Sequence, residues 1–428
     1  MDKAIIFVTG MDPLKGTGGG SSYIRSHGRA AQAAGYEPHI FCLSDRDEVV
    51  SADFGFVHRT YTPFRSRGIL RIRPDSQGSF IKNWVASLVY TGHFIPFNES
   101  RLAKSIINYL KDNPGPHLIH GFHNWGCVGS KVREQLNGSG IVVKVINSFY
   151  TTGENEARLK LIGAFKSGTH LQITFQAVEW LWIATVAAFY ERRAYKNSDL
   201  VLVNYESVRR LFKQKHGAGA ETRKCPYASE IALTGIDGPE GADLESAPVS
   251  AVPLILTVSR HDPRKGLDVL IRALAGLKKR EVAFNACLTS GGSMLESHKK
   301  LADLSGLTDL QFTGWVENVA PYFKNADIFV LPSIQEGSGS VSMLEAMQHG
   351  LAIVASDIDG IPEDVTNEES ALLIPPGDPV ELSKALERLI SDAGLRTRLG
   401  QAARKRYLEN HAPEVFIEAL RGIYNKFR

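Results

Sequence analysis

Residues 327–350 read Asp327-Ile-Phe-Val-Leu-Pro-Ser-Ile-Gln-Glu-Gly-Ser-Gly-Ser-Val-Ser-Met-Leu-Glu-Ala-Met-Gln-His-Gly350. This stretch opens on a continuous apolar run that is typical of a buried strand. Farther along, Leu344 and Met347 lie one helical turn apart before a stop at Gly350, which indicates a short helix. Strand, glycine turn and helix therefore follow one another, as they do in a parallel sheet with crossover helices.

The turn in this stretch separates two carboxylates, Glu336 and Glu345. A helix N-terminus presents free backbone N–H groups and about half a positive charge, and glycine lets a ligand approach closely. The two glutamates can accept hydrogen bonds from paired hydroxyls. A helix capped by Ser340 or Ser342, with two solvated glutamates, is the alternative. If the turn binds a diphosphate or sugar hydroxyls, its contacts are Gly337, Ser338, Gly339, Ser340 and Val341.

Size and composition bound the kind of protein. A chain of 428 residues exceeds one ordinary core, so two domains of roughly 200 residues are expected. With 49 basic and 46 acidic residues the net charge is +3, which gives no electrostatic case for a nucleic-acid partner. The four cysteines lack paired short spacing, and the N-terminus begins at once with a strand rather than a secretory signal. We therefore expect a reducing, cytoplasmic setting and no zinc site.

Strand-like and helical runs alternate twice along the chain, which predicts two Rossmann-like, doubly wound α/β domains. The strand-like runs of the first half are Ala4–Thr9, Glu37–Leu43, Leu118–His120 and Ile141–Ile146. Those of the second half include Leu254–Val258, Phe284–Thr289, Asp309–Thr313 and Ala352–Ser356.

A polar, Gly/Pro-rich stretch without periodicity lies between Ala232 and Val252 and indicates a linker. We accordingly place the first domain at 1–232 and the second at 253–411. The helical pattern at 412–428 lies beyond the second alternation, and we expect it to return toward the first domain. Two such halves joined by a linker would face each other across a central cleft.

Two loops at predicted strand ends carry residues suited to phosphate. Gly18, Gly19 and Gly20 lie between the first strand and the first helix, where such sheets bind ligands, although a flexible loop is the alternative. Arg260 and Lys265 stand on a loop after a strand and just before a helix. Fixed cations there can neutralise a diphosphate leaving group, as a bound metal otherwise would. We identify no Asp-x-Asp pair in a comparable strand-end loop, so we expect no metal requirement. The alternative is that Arg260 and Lys265 are only a solvated pair of cations.

His120 and His123 end a predicted strand of the first half, in Pro116-His-Leu-Ile-His-Gly-Phe-His-Asn-Trp-Gly126. Few carboxylates surround them, so a metal site is a poor explanation and a hydrogen bond to a sugar hydroxyl is a better one. A structural role for either histidine is the alternative.

Two segments of the first half bear on membrane contact. The apolar stretch Gln172–Tyr190 contains Glu179, which argues against a membrane span, so we expect a long, largely buried helix, with membrane-surface contact as the alternative. A second segment interleaves aromatic residues with cations and predicts contact with an anionic or lipid-linked acceptor, or with the membrane surface; a solvated loop is equally open. Its cations are Arg65, Arg67, Arg71, Arg73 and Lys82.

Several motifs taken together resemble one family. They are Gly18-Gly19-Gly20, Ser259-Arg260 with Lys265-Gly266, Thr313-Gly314-Trp315, Ala326-Asp327, Glu336 with Glu345, Asp357-Ile-Asp-Gly-Ile-Pro-Glu363 and Leu373-Ile-Pro-Pro-Gly-Asp378. On these motifs the chain is similar, over nearly its whole length, to the family-4 retaining glycosyltransferases of the GT-B fold, which have two facing Rossmann-like domains.

The resemblance assigns a nucleotide-sugar donor to the second domain and an acceptor to the first. On the donor, Arg260 and Lys265 would contact the diphosphate, Glu345 the ribose hydroxyls, Glu336 the transferred sugar, and the backbone near Trp315 and Val316 the base. From the first domain, the loop around Gly19 would close onto the diphosphate and His123 would lie beside the reacting carbon. Attack would come from the face that the leaving group departs from, and a donor phosphate oxygen would take the acceptor proton.

The chain departs from the family pattern at three places. Eight residues separate Glu336 from Glu345, where the family usually has seven, and a bulge in the turn could absorb the extra one. A one-residue shift within the helix would instead rotate a side chain by about 100°. The family's His-x-His is replaced by His120-Gly-Phe-His123, which leaves either histidine as the candidate. Cys225-Pro-Tyr-Ala-Ser-Glu230 stands where an Asn-Gly-Ile/Val-Asp turn is expected.

The sequence therefore predicts a retaining, metal-independent glycosyltransferase that needs no bound cofactor. It would move a hexose-type sugar from a UDP- or GDP-sugar, UDP being favoured, to a hydroxyl on a glycan, a lipid-linked molecule or a small molecule. A nucleotide-sugar epimerase or phosphorylase on the same fold is one alternative. A catalytically silent, donor-binding subunit is the other.

Overall fold

The structure is a computed structural model that describes residues 4–15, 19–62, 95–154, 157–158, 161–162, 170–229, 232–233 and 252–427. The chain forms two compact units. The first unit comprises residues 1–230 and 416–428, and the second comprises residues 231–415. The predicted linker and the basic segment from Arg65 to Lys82 lie almost wholly outside the described residues.

Strands and helices alternate along the described parts of both units. The strands are β1 Ala4–Val8, β2 Glu37–Ser44, β3 Glu48–Ala52, β4 Gly55–Tyr61, β5 His117–Phe122, β6 Val143–Phe149, β7 Leu200–Val203, β8 Thr222–Lys224, β9 Leu254–Val258, β10 Asn285–Thr289, β11 Leu310–Gly314, β12 Ile328–Leu331, β13 Ala352–Ser356 and β14 Leu372–Ile374. The helices are α1 Gly19–Ala33, α2 Ile95–Asp112, α3 Gly126–Gln135, α4 His170–Trp182, α5 Ala188–Lys196, α6 Glu206–His216, α7 Leu267–Lys279, α8 Leu295–Leu304, α9 Ala320–Asn325, α10 Val341–Gln348, α11 Ile361–Asp364, α12 Pro379–Ser391, α13 Ala393–Asn410 and α14 Pro413–Lys426.

The first unit is built on a sheet whose described strands run in the order β3-β4-β2-β1-β5-β6-β7-β8. All neighbours pair in parallel except β3 and β4, which are antiparallel. Parallel strands are covered by helices on both faces, so they consist of nearly continuous apolar residues. β1 and β7 follow this rule, since Ile5 to Val8 and Leu200 to Val203 are buried.

The second unit has a sheet of described strands in the order β11-β10-β9-β12-β13-β14, with every pair parallel. The packing of α7 shows how the sequence forms this unit. Leu267, Leu270, Ile271 and Leu274 recur at helical spacing and are all fully buried in the core. The predicted fold class, two α/β domains with parallel sheets, is confirmed.

The C-terminal helix α14 packs on the first unit. Phe416, Leu420 and Tyr424 follow its buried face. The Tyr424 hydroxyl lies 2.9 Å from His120 Nδ1 on β5, and the Tyr36 hydroxyl donates to Asn425. The helix therefore returns to the first domain, as the sequence predicted.

The long helix expected over Gln172–Tyr190 is present, because a π-helical turn at Ile183–Ala187 joins α4 to α5 without a break in the helical backbone. The expectation that this helix is largely buried is wrong, since its described side chains are mostly half-buried, with Leu181 and Phe189 well exposed. Apolar composition predicted burial, but these helices present part of their apolar surface outward. Among the described helices, none combines the length and the apolar character that crossing a membrane requires.

Candidate functional site

Loops that follow parallel strands emerge at one edge of a sheet, and this rule gathers the candidate residues of the second unit. Arg260 and Lys265 follow β9, Trp315 follows β11, and Glu336 follows β12. Asp359 follows β13 on the neighbouring loop. The carboxyl edge of this sheet therefore carries cations, a carboxylate turn and an aromatic ring together.

Lys265 and Glu336 form an ion pair at this edge. The Lys265 ammonium lies 2.7 Å from each carboxylate oxygen of Glu336, and the two side chains are only 15% and 5% exposed. The Ser333 hydroxyl donates to the same carboxylate. Two residues that were predicted separately, one for a diphosphate and one for a sugar, thus lie in direct contact.

Backbone contacts lock the two loops that carry this ion pair. Gly266 has a φ of +60°, and a Cβ there would lie 2.1 Å from the Pro332 carbonyl oxygen, so only glycine fits. Ile334 N–H donates to the Arg264 carbonyl at 2.7 Å. The β9 and β12 loops are therefore held against each other, and the position of Lys265 relative to Glu336 is fixed.

The Gly/Ser turn is partly occupied by the protein itself. The Asp359 carboxylate accepts hydrogen bonds from the backbone N–H groups of Glu336 at 2.8 Å and Gly337 at 2.7 Å. The expectation that the Gly337 N–H is free to meet a ligand is therefore wrong in this structure. The helix cap that the alternative reading required is present, because Ser340 Oγ accepts from Met343 N–H at 3.4 Å.

The two glutamates lie on different parts of the turn-helix segment. Glu336 precedes a turn in which Gly337 has a φ of +84°, and α10 begins only at Val341. Glu345 lies within α10 and is buried. Four residues of turn therefore separate Glu336 from the helix that carries Glu345.

The side chains of Arg260 and Trp315 are exposed at this edge of the sheet. The Arg260 side chain is 68% exposed, with Asp262 Oδ2 3.5 Å from its guanidinium, and Trp315 is 64% exposed. Val316 beside it is half-buried. An exposed arginine and an exposed indole on the same sheet edge as a buried ion pair are suited to a ligand that is anionic at one end and planar at the other.

A buried histidine pair supports the loop of Arg260. His261 Nδ1 lies 2.9 Å from His298 Nδ1 on α8, and the His261 N–H donates to the Gly291 carbonyl. Burial, with a smaller effect of His298, lowers the pKa of His261 to about 4, so its ring is neutral at physiological pH. Sequence reasoning missed this pair, because the two histidines are far apart along the chain.

In the first unit, the glycine loop differs from the prediction. Helix α1 begins at Gly19, so Gly19 and Gly20 lie in its first turn rather than in the loop before it, and Gly18 lies outside the described residues. The described part of the loop is anchored by Asp12, whose carboxylate lies 3.0 Å from Arg59 Nε and accepts from Leu14 N–H.

The two candidate histidines of β5 occupy different environments. His120 is fully buried, with Nδ1 2.9 Å from the Tyr424 hydroxyl and Nε2 2.7 Å from Ser148 Oγ. Burial, and then the neighbouring His27, hold the pKa of His120 well below its usual range. His123 follows the strand with a φ of +53° and is half-buried. His120 is therefore enclosed by partners within the first unit, whereas His123 keeps part of its surface accessible.

The expectation that no Asp-x-Asp pair stands in a strand-end loop is wrong, because Asp357-Ile-Asp359 directly follows β13. The pair is visible in the sequence, but two nearby carboxylates indicate binding of a metal ion or of water more readily than hydrogen bonds to backbone N–H groups. Within the described part of the chain, no cluster of three or more His, Cys, Asp or Glu side chains is placed to hold a metal ion.

Part of the chain matches a known family. Residues 252–392, about one third of the chain and most of the second unit, match the family described as "Glycosyl transferases group 1". This region contains every candidate residue of the second unit.

Two curated relatives match over part of their length. The D-inositol 3-phosphate glycosyltransferase of Salinispora tropica is 33% identical over 187 residues, which are 40% of this chain and 38% of that protein. The GDP-mannose-dependent alpha-(1-6)-phosphatidylinositol monomannoside mannosyltransferase of Mycobacterium tuberculosis is 26% identical over 230 residues, which are 51% of this chain and 60% of that protein. The matching stretch thus spans less than two thirds of either relative.

The solved structures extend the likeness to the whole fold. The sucrose-phosphate synthase from Thermosynechococcus elongatus superimposes with a TM-score of 0.68 at 20% identity, and covers 99% of this chain and 98% of its own. The fold is that of the GT-B glycosyltransferases, as predicted.

Proposed function

We propose that the chain is a retaining glycosyltransferase that moves a hexose-type sugar from a nucleotide-sugar donor to a hydroxyl acceptor. The observation that carries this proposal is the Lys265–Glu336 ion pair at the sheet edge that also carries the exposed Arg260 and Trp315. One site thereby offers cations for a diphosphate, a carboxylate for sugar hydroxyls and a ring for a base. The group 1 family match over the same residues supports the proposal.

We assign the donor to the second domain, residues 253–411, and the acceptor to the first domain, residues 1–232, with 412–428 as the returning helix. On the donor side, Arg260 and Lys265 bind the diphosphate, and Trp315 with Val316 contacts the base. Glu336 binds the transferred sugar, and Glu345 binds the ribose. The turn Gly337–Val341 binds the phosphate or the sugar through the N–H groups that Asp359 leaves open. From the first domain, His123 and the Gly18–Gly20 loop complete the set.

The proposed reaction needs no protein nucleophile and no metal. The bond between the sugar carbon and the diphosphate oxygen breaks, and the acceptor oxygen bonds to that carbon from the same face. The acceptor proton passes to the departing phosphate oxygen. Negative charge grows on the diphosphate as it leaves, and preorganised Arg and Lys donors stabilise that charge.

The donor base and the acceptor belong to the proposal as well. We favour UDP over GDP, but one relative is named as GDP-mannose-dependent, so both bases belong in the test. The relatives' names specify D-inositol 3-phosphate and a phosphatidylinositol monomannoside, a small polyol phosphate and a lipid, as molecules on which those proteins act.

We propose a cytoplasmic enzyme with peripheral membrane contact through the first domain, which the exposed Leu181 and Phe189 support.

A thermal-shift panel of nucleotides and nucleotide sugars, followed by turnover assays, tests the proposal. A nucleotide at 100 times its dissociation constant stabilises the folded chain by about 2.7 kcal/mol, which ranks the bases. Turnover that disappears in Glu336→Ala while nucleotide affinity persists supports the enzyme. Phosphate-dependent release of a sugar phosphate from glycan would instead identify a phosphorylase. Nucleotide binding without turnover on any donor and acceptor would favour a silent subunit.

A further inference from the structure

Asp359 connects the loop after β13 to the turn that carries Glu336. Its Oδ2 accepts from the backbone N–H groups of Glu336 and Gly337, at 2.8 and 2.7 Å. The next residue continues the contact, because Gly360 N–H donates to the Ser338 carbonyl at 2.8 Å. Three hydrogen bonds therefore join Asp359-Gly360 to Glu336-Gly337-Ser338.

The backbone of Asp359 is unusual for a residue with a side chain. Its φ is +50°, in the left-handed region that favours glycine and that Asp and Asn tolerate better than most residues. Such a conformation persists where surrounding contacts over-determine it, and it is often found at functional sites. Here the hydrogen bonds to the turn provide those contacts.

Burial does not account for this arrangement. Asp359 is exposed, so its carboxylate could be hydrated and does not need the two N–H groups as partners. Glu336, in contrast, has a side chain that is only 5% exposed and is fixed by Lys265 and Ser333. Glu336 is thus held at both ends, by Lys265 at its carboxylate and by Asp359 at its backbone.

We propose that Asp359 is a positioning residue that sets the place of the Glu336 carboxylate and of the N–H groups farther along the turn. The inference rests on the proposed glycosyltransferase function and extends it to a residue outside the donor contacts. Asp359 restrains the start of the turn between Glu336 and α10, because its carboxylate accepts from the N–H groups of Glu336 and Gly337. A misplacement of about 1 Å can reduce catalysis about a hundredfold, so this restraint affects turnover.

The experiment compares two substitutions that both tolerate left-handed backbone. Asp359→Asn keeps an acceptor oxygen, whereas Asp359→Gly keeps the backbone freedom and removes the acceptor. Asp357→Asn, on the same loop and also exposed, is the matched control, and Glu336→Ala is the inactive reference. Each variant is examined by steady-state kinetics with the donor varied, by thermal melting, and by hydrogen exchange of the peptide that contains Glu336 and Gly337.

We expect Asp359→Gly to lower kcat by about tenfold or more, with a smaller change in donor KM and little change in melting temperature. Exchange at the two amides should quicken in the same variant. Asp359→Asn should restore both kcat and slow exchange to near the wild-type values, and Asp357→Asn should change neither. Kinetics and exchange are compared at a temperature at which circular dichroism finds all variants folded.

The outcomes separate the inference from the proposed function. Wild-type kcat in Asp359→Gly, beside an inactive Glu336→Ala, would overturn the positioning role and keep the enzyme. Unchanged exchange at Glu336 and Gly337 in Asp359→Gly would also overturn it, whether or not a substrate pair has been found. Absence of turnover in the wild type, together with faster exchange in Asp359→Gly, would overturn the glycosyltransferase proposal. It would still show that Asp359 restrains the backbone of the turn.

Discussion

The Lys265 ammonium lies 2.7 Å from both carboxylate oxygens of Glu336, and water reaches little of either side chain. An ion pair at such low exposure depends on both partners, since removal of one leaves a charge that is neither hydrated nor compensated. The same two groups are the proposed contacts of the donor diphosphate and the transferred sugar. The Lys265–Glu336 contact therefore affects both stability and catalysis, and single and double substitutions of the two residues can separate these effects.

Lys265→Met should destabilise the second unit by about 3 kcal/mol, because it leaves the Glu336 carboxylate without its partner. For a unit of this size, that corresponds to a fall in Tm of about 6 to 12 °C in calorimetry. Adding Glu336→Gln should recover most of the loss, because the unpaired charge is gone. If the double variant melts no higher than Lys265→Met, the contact does not control stability.

Glu336→Gln alone should reduce kcat by about a hundredfold or more while the affinity for free nucleotide changes by less than about threefold. The amide keeps the shape of the carboxylate but loses the charge that pairs with Lys265 and strengthens its hydrogen bonds to sugar hydroxyls. Turnover and nucleotide titration on the same preparation measure the two effects. Glu317→Gln, at an exposed carboxylate after β11, serves as the control and should retain wild-type kcat.

Trp315 should report nucleotide binding directly. It is 64% exposed, and base stacking on an aromatic side chain is worth about 1 to 3 kcal/mol. Addition of the preferred nucleotide should change the tryptophan emission of the wild type, and Trp315→Ala should weaken the affinity by a corresponding amount. Trp182→Phe on α4 should keep the full emission change. An equal response in Trp315→Phe would place the base elsewhere.

The second unit was largely predictable from its sequence. Strands β9 and β13 are short, mostly apolar runs that are followed by polar residues, and both were predicted with the observed limits. A strand buried on both faces leaves this pattern whatever its partners are, so local sequence suffices. The turn at Glu336 was located for the same reason, since it follows such a strand.

Contacts between residues distant in sequence were not predictable. Asp359 and the Glu336 turn meet because β12 and β13 are neighbours in the sheet, and no local pattern states which strands pair. The sequence left either His120 or His123 as the candidate, and the burial of His120 against Tyr424 and Ser148 distinguishes them. The apolar composition of α4 and α5 predicted burial, yet several of their apolar side chains are exposed. Composition alone does not specify whether another element covers a helix.

The histidines should differ when each is replaced. His120→Ala should lower stability by about 2 to 4 kcal/mol, because it removes a buried ring and leaves the hydroxyls of Tyr424 and Ser148 without this partner. His123→Ala should leave Tm nearly unchanged and reduce kcat about tenfold to a hundredfold. Calorimetry and turnover on both variants check this. A large loss of stability in His123→Ala with normal turnover would remove His123 from the proposed site.

The Tyr424 hydroxyl tests how firmly the C-terminal helix is docked. Tyr424→Phe should cost about 1 to 2 kcal/mol, because it leaves the buried His120 Nδ1 without its partner while the ring still packs. Tyr424→Ala should cost about 3 to 5 kcal/mol through the cavity that it creates. Urea unfolding measures both values. Comparable losses in the two variants would mean that the hydroxyl, rather than the ring, dominates.

Acid should destabilise the chain through its buried histidines. Burial lowers the pKa of His27 to about 4, against a smaller opposing effect of its hydrogen bond to the Tyr23 carbonyl, and burial followed by His39 lowers the pKa of His58 to about 4. An unfolded histidine has a pKa near 6.5. Between about pH 6.5 and pH 4 the unfolded state therefore binds more protons than the folded state, so the free energy of unfolding falls as the pH falls.

For His27 alone, which is almost fully buried, the loss approaches about 3 kcal/mol once the pH is below its folded pKa. His27→Gln keeps a donor for the Tyr23 carbonyl and does not titrate, so its Tm should fall less steeply than that of the wild type between pH 6.5 and 4.5. At pH 7.5, where the ring is neutral in both states, this histidine contributes no pH dependence. Parallel melting curves for the two proteins across the acid range would show that His27 does not control the acid sensitivity.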